Sequence, residues 1–168
     1  MSRDFPDWID PDRAAAARRV FSGTIPLSRL QRLVGIIADP GDSEVGFRMD
    51  IGHDGQRQVR VDIEVWGSVR LRCQRTLEVF EYALESRSVV GIVTTDQAAD
   101  ALPEDYEPLL CTTGRVELLR LVEEEVLLAL PLVPVSPHSE RVGGQAGGRD
   151  THRPFAGLAQ LRRKGNKD

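Results

Sequence analysis

The sequence predicts an α+β fold: an antiparallel β-sheet, open or partly closed into a barrel, with N-terminal helices and one long helix from the second half of the chain packed on it. Three observations carry this. Apolar and polar residues alternate strictly through the middle of the chain, an Asp-Gly pair separates two of the alternating runs, and residues 116–130 (VELLRLVEEEVLLAL) join helix formers to an apolar stripe.

Residues 11–21 begin with Asp10 as a cap and Pro11 at the first helical position, so a short helix is expected there. Leu30, Leu33, Val34 and Ile37 fall at helical spacing and predict an amphipathic helix that Asp39-Pro40-Gly41-Asp42 ends. Val45, Phe47, Met49 and Ile51 predict a strand, as do Val59, Val61, Ile63 and Val65, with a hairpin turn at Gly52-His-Asp-Gly55. Gly67 is expected to break the second run before Val69, Leu71 and Cys73 resume it, and further strands are expected near 77–84 and 89–94, for about five or six in all. Residues 96–110 read as an acidic connector punctuated by proline. In the helix at 116–130, Glu117, Arg120, Glu123 and Glu124 should face outward and the apolar second half should be buried, until Pro131 stops it.

Domain boundaries follow from composition. Residues 1–135 form a single α+β domain. Residues 136–153, with GGQAGG and almost no apolar side chains, read as a flexible linker. Residues 154–168 hold a short apolar anchor (Phe155, Leu158, Leu161) and a basic tail. No apolar run is long enough to span a bilayer, and the acidic N-terminus lacks the pattern of a secretory signal. Two cysteines imply no disulfide scaffold, so a reducing cytoplasm is expected.

The net charge of −4 is unevenly spread. Residues 13–75 carry eleven arginines against seven carboxylates, whereas residues 76–135 carry three against twelve. Arginine suits bidentate phosphate contacts, although GC-rich coding produces the same excess. Catalytic candidates are poor. His53 falls in a turn, His138 and His152 fall in the linker, and Ser22, Ser28 and Ser68 lack a nucleophile-elbow setting. Glu123-Glu124-Glu125 point about 100° apart on a helix and cannot converge on one cation. No enzyme, cofactor, metal or small-molecule substrate is expected.

Four segments, in order, carry a resemblance: Cys73-Gln-Arg-Thr76; Ala101-Leu-Pro-Glu-Asp-Tyr-Glu-Pro108; Leu118 through Val135, with its VEEEVLLALPLVPV; and Arg153-Pro-Phe-Ala-Gly-Leu-Ala-Gln-Leu-Arg-Arg163. Together they resemble the YceD family of bacterial proteins, associated with accumulation of 23S ribosomal RNA. The resemblance implies a non-enzymatic role in ribosome biogenesis, in synthesis, processing or stability of that RNA, with no catalytic residues to carry over. Many relatives have Cys-x-x-Cys where this chain has Cys73 and Thr76. Cys73 and His138 alone are too few for a closed zinc site, so no metal is carried over.

The implied partner is 23S rRNA or its precursor within large-subunit assembly particles, with no membrane involved. Arg70 and Arg72 should share the sheet face opposite Cys73, near Arg75 and with Arg57 and Arg60 from the preceding hairpin, as a platform for RNA phosphates. The competing reading is a solvated face balanced by Asp62 and Glu64. Arg162, Arg163 and Lys164 form a second candidate contact, on a tail that orders on a partner or docks on its own domain. An alternative function is a protein–protein adaptor that binds a basic ribosomal protein through Glu117, Glu123 and Glu124. Too few aromatics are present to suggest a base-stacking platform.

Overall fold

Alternation in the middle of the chain builds five strands, which the computed structural model, describing residues 5–139, arranges as one open sheet. These are β2 (Val20–Pro26), β3 (Glu44–His53), β4 (Val59–Arg72), β5 (Val79–Val93) and β6 (Glu107–Leu110), side by side in sequence order. A separate two-stranded ribbon pairs β1 (Trp8–Ile9) with β7 (Val116–Glu117). The class is the expected α+β, but β2 and β6 are two separate edges, so the sheet does not close into a barrel. Nor is it wholly antiparallel. The chain crosses over through α2 (Asp96–Asp100) and the following loop, which brings β6 back parallel to β5.

Gly67 does not break its strand. It occupies an inward slot in unbroken phase with Val65 and Val69, opposite Val45 on one side and Leu84 on the other. An added Cβ there would lie 3.0 Å from the Glu44 carbonyl oxygen. Likewise the two strands expected at 77–84 and 89–94 are one, because Ser86 and Ser88 keep the inward phase between Leu84 and Val90.

One face of the sheet is apolar. Val45, Phe47, Met49, Val61, Ile63, Val65, Val69 and Leu71 on it are at most 1 % exposed. Against them pack α1 (Pro11–Ala16) and α3 (Leu118–Ala129). Asp10 caps α1 by accepting from the Arg13 amide at 3.0 Å. The helix ends early, at Ala16, because Arg18 turns left-handed (φ 47°) and the Arg18 and Arg19 amides donate to the carbonyls of Ala15 and Ala14. That closure is usually made by glycine.

The expected helix over residues 28–37 is absent. Leu27, Leu30 and Leu33 are buried, but on two single 3₁₀ turns, Leu27–Arg29 and Gln31–Leu33, with Val34 exposed and Gly35 left-handed. Burial of the leucines, rather than α-hydrogen bonding, holds this segment.

In α3 the residues facing the sheet are Leu118, Leu121, Val122, Glu125 and Val126, at the i, i+3, i+4, i+7, i+8 spacing. Leu128 falls on the opposite side and is 62 % exposed, so the last turn is not buried as its composition suggests. Beyond residue 139 the linker and the anchor lie outside the described residues.

Candidate nucleic-acid interface

The outer face of the sheet presents every second residue of three long strands. From β3 come Gly46, Arg48 and Asp50; from β4, Arg60, Asp62, Glu64, Trp66, Ser68, Arg70 and Arg72; from β5, Glu81, Glu85 and Arg87. Arg60, Arg70 and Arg72 therefore stand where alternation places them, opposite the buried Cys73. Arg48 and Arg87 join them. Arg48 was legible in the alternation of β3, whereas Arg87 was hidden by the division of β5 into two strands.

All of these arginines but Arg72 are neutralised by a carboxylate of the same chain. Arg48 makes a bidentate pair with Asp50 (2.8 and 2.9 Å), and Arg60 does the same with Asp62 (2.9 and 2.6 Å). In each case the carboxylate's hydrogen bond leads the forces that raise the guanidinium pKa. Arg87 meets Glu64 across the strands at 3.1 Å. Arg70 holds Asp39 at 2.7 Å and accepts the Ala38 amide on its own carbonyl, which fastens the 38–42 loop beside β4. Arg72 donates to the Leu77 carbonyl at 2.9 Å across the β4–β5 turn. Arg75 lies in that turn, and Arg57 lies in the β3–β4 turn with φ 65°. Arg162, Arg163 and Lys164 are outside the described residues.

Trp66 was missed. Its indole lies across Gly46 of β3, where an added Cβ would collide with the ring, and it remains 47 % exposed. Alternation alone places Trp66 on the outer face, but only the pairing of Trp66 with Gly46 makes room for it to lie flat.

The acidic alternative changes more. Glu123 does not face solvent: it is 9 % exposed and accepts the Arg32 amide at 2.7 Å, capping the 3₁₀ turn against α3. The nearest turn of the fold needs an acceptor there, which sequence periodicity could not show. Glu117 is half-buried at the end of β7, and Glu124 is paired with Arg32 at 3.6 Å. Glu125, the last of the three consecutive glutamates, is 3 % exposed and accepts the Ser86 and Ser88 hydroxyls at 2.6 and 2.5 Å. On β6, burial raises the Glu107 pKa, reinforced by Glu125 and Glu124.

At the far end of β4, Cys73 is buried and tied to the chain that follows α3. The Ser136 amide donates to its sulfur at 3.3 Å, and the Gln74 amide donates to the Pro134 carbonyl at 2.8 Å. The Ser136 amide first, then the Thr76 hydroxyl and amide, stabilise the thiolate and lower the Cys73 pKa to about 6. The turn thus sets a single sulfur beside a hydroxyl, not a second thiol. Among the described residues no group of three or more His, Cys, Asp or Glu gathers as a metal site, and no helix is long and apolar enough to cross a membrane.

Comparison with known sequences now decides the family. The profile described as large ribosomal RNA subunit accumulation protein YceD matches residues 61–162, from near the start of β4 onward. The chain belongs to the YceD family. It is 33 % identical over 170 residues to the Haemophilus influenzae protein named large ribosomal RNA subunit accumulation protein YceD, across 95 % of this chain and 97 % of that one. No solved structure matches. The likeness drawn from four segments thus extends over nearly the whole chain.

Proposed function

We propose that this YceD-family protein is a non-catalytic factor in accumulation of the large ribosomal RNA, acting in the cytoplasm on 23S rRNA or its precursor within assembly particles. The observation that carries the reading is the end-to-end likeness to a relative named for that role. A binding role is supported by how the reactive side chains are engaged. Ser86 and Ser88 are bonded to Glu125, Ser68 donates to Glu81 at 2.7 Å, and Cys73 is buried under the segment at 134–136. The arginines of the outer face and the 73–78 turn remain the proposed phosphate contacts: Arg60, Arg70, Arg72 and Arg75, with Arg57 in the neighbouring hairpin.

One observation favours the adaptor reading. The outer-face arginines other than Arg72 come already paired, so the face brings little net positive charge to RNA, while residues 76–135 carry a large acidic excess. A basic ribosomal protein would then meet Glu117 and Glu124. Glu123, bound to Arg32, does not belong to that surface.

Co-sedimentation of the full chain with large-subunit precursors, with and without RNase, tests both. Release by RNase is expected. A protein that stays with ribosomal proteins after complete RNA digestion would replace the RNA reading with the adaptor.

A further inference from the structure

The geometry points to a phosphate-contacting cleft at the opposite end of β4 from Arg70, Arg72 and Arg75, formed where the α1–β2 turn meets the β3–β4 hairpin. The inference rests on the reading of the protein as an rRNA-associated factor and names a surface for it. The cleft is about 470 Å³ and is lined by Arg18 and Arg19 from the turn, His53 and Asp54 from the hairpin, and Asp50, Arg60 and Asp62 from the outer face.

Its carboxylates are all engaged from within. Asp50 is held by Arg48 and Asp62 by Arg60, both in bidentate pairs. Asp54 accepts the Gln56 and Gln58 amides at 2.8 and 2.9 Å and the Tyr106 hydroxyl at 3.1 Å. Of its arginines Arg60 is held by Asp62, but the two from the α1–β2 turn are not engaged. Arg18 and Arg19 are exposed and make no ion pair among the described residues, and the same holds for Arg57 in the turn that supplies His53 and Asp54. Once the pairs cancel, Arg18 and Arg19 outnumber Asp54 in the lining, with Arg57 a further cation on the bordering turn, and positive charge is left over in a concave site. An anion can meet these guanidiniums without displacing a carboxylate, which Arg48, Arg60, Arg70 and Arg87 of the sheet face would require.

The backbone adds a second reason. Among the described residues, Arg18 and Arg57 are two of the three non-glycine residues in the left-handed region, at φ 47° and 65°. Glycine or asparagine would sit there at less steric cost. Arginine at both positions places a long cation on each tight turn that borders the cleft. Phosphate oxygens of structured RNA are the ligand class this fits, since the contacts supply charge and forks but no base-edge readout.

The test is filter binding of the full chain to a transcript of the large-subunit rRNA precursor over a salt series. Arg18→Gln/Arg19→Gln/Arg57→Gln is compared with Arg70→Gln/Arg72→Gln/Arg75→Gln, both checked for wild-type melting. The cleft variant is expected to bind about tenfold more weakly at about 0.1 M salt, with a log–log slope shallower by roughly two units. The sheet-end variant, whose Arg70 must first leave Asp39, should lose less than the cleft variant, and lysine at the three cleft positions should restore most of the slope. Loss confined to the sheet-end variant, or wild-type binding by both, overturns the cleft. If the wild-type chain itself fails to bind the transcript, the rRNA reading falls, and the cleft proposal with it.

Discussion

The two faces of β4 show how differently one strand can be used. Inward, Val59, Val61, Ile63, Val65, Val69 and Leu71 meet α1, α3 and the 3₁₀ segment as hydrocarbon against hydrocarbon. Outward, Arg60, Asp62, Glu64, Trp66, Arg70 and Arg72 meet partners one at a time, by charge or by a flat ring. Burial on the inner face scales with area and tolerates no unpaired charge. Pairing on the outer face is worth little each time, since the partners are solvated. Stability should therefore be decided inside, leaving the outer surfaces free to be shaped by what they bind.

The largest test of that contrast is Val122→Asp. Val122 is fully buried between α3 and the sheet. An unpaired carboxylate there costs several kcal/mol or forces a large pKa shift, enough to unfold a domain of this size. Circular dichroism and gel filtration should show unfolded or aggregated protein. Melting within a degree or two of wild type would mean that α3 does not hold the inner face.

Cys73 sharpens the comparison at the strand end, where the inner face becomes polar. Its pKa is near 6 in the folded chain against an ordinary 9.0. The thiolate contribution is then fully present above pH 9 and is lost as pH falls through 6, because the unfolded chain binds the proton first. Denaturation midpoints of wild type and Cys73→Ala should diverge as pH rises from 6 to 9. A constant difference over that range would show that a neutral thiol, packed as a small apolar residue, is all that the 134–136 segment requires.

These contrasts also mark what the sequence makes legible. Period-two alternation identified β3, β4 and, in two pieces, β5, and assigned Arg60, Arg70, Arg72 and Cys73 to their correct faces, because one-sided burial leaves only one workable register. It missed β2, whose start read as helix, and β6, which read as connector. It failed where local signals compete with tertiary ones. Gly67 looks like a breaker but is an inward residue placed against a neighbouring backbone. Leu30 and Leu33 have helical spacing but serve two 3₁₀ turns. Glu123 and Glu125 look like a solvated run, yet each answers a donor far away in sequence: the Arg32 amide for one, Ser86 and Ser88 for the other. Arg18 and Arg19 read as the end of a helix because nothing in the residues announces a left-handed arginine. The cleft they line depends on the pairing of Arg19 with Ile51, which only the fold supplies.

The smallest expected effect is on the outer face itself. Arg87 and Glu64 stand directly opposite on β5 and β4, 3.1 Å apart, with side chains 69 % and 37 % exposed. A cross-strand pair this open gains modest Coulomb energy in high dielectric and loses side-chain entropy in holding one geometry. A double-mutant cycle of Arg87→Ala and Glu64→Ala, read by urea denaturation, should give a coupling of no more than about 0.5 kcal/mol, shrinking further in high salt. The sign is informative beyond its size. If the pair is neutral for stability, the arginine is present for some reason other than folding, in keeping with a face whose chemistry is set by a partner. A coupling above about 2 kcal/mol, of the kind found for desolvated pairs, would instead make the outer face a structural network. Its arginines would then be unavailable to phosphate, and RNA contact by the described residues would rest on the unpaired guanidiniums of Arg18, Arg19 and Arg57.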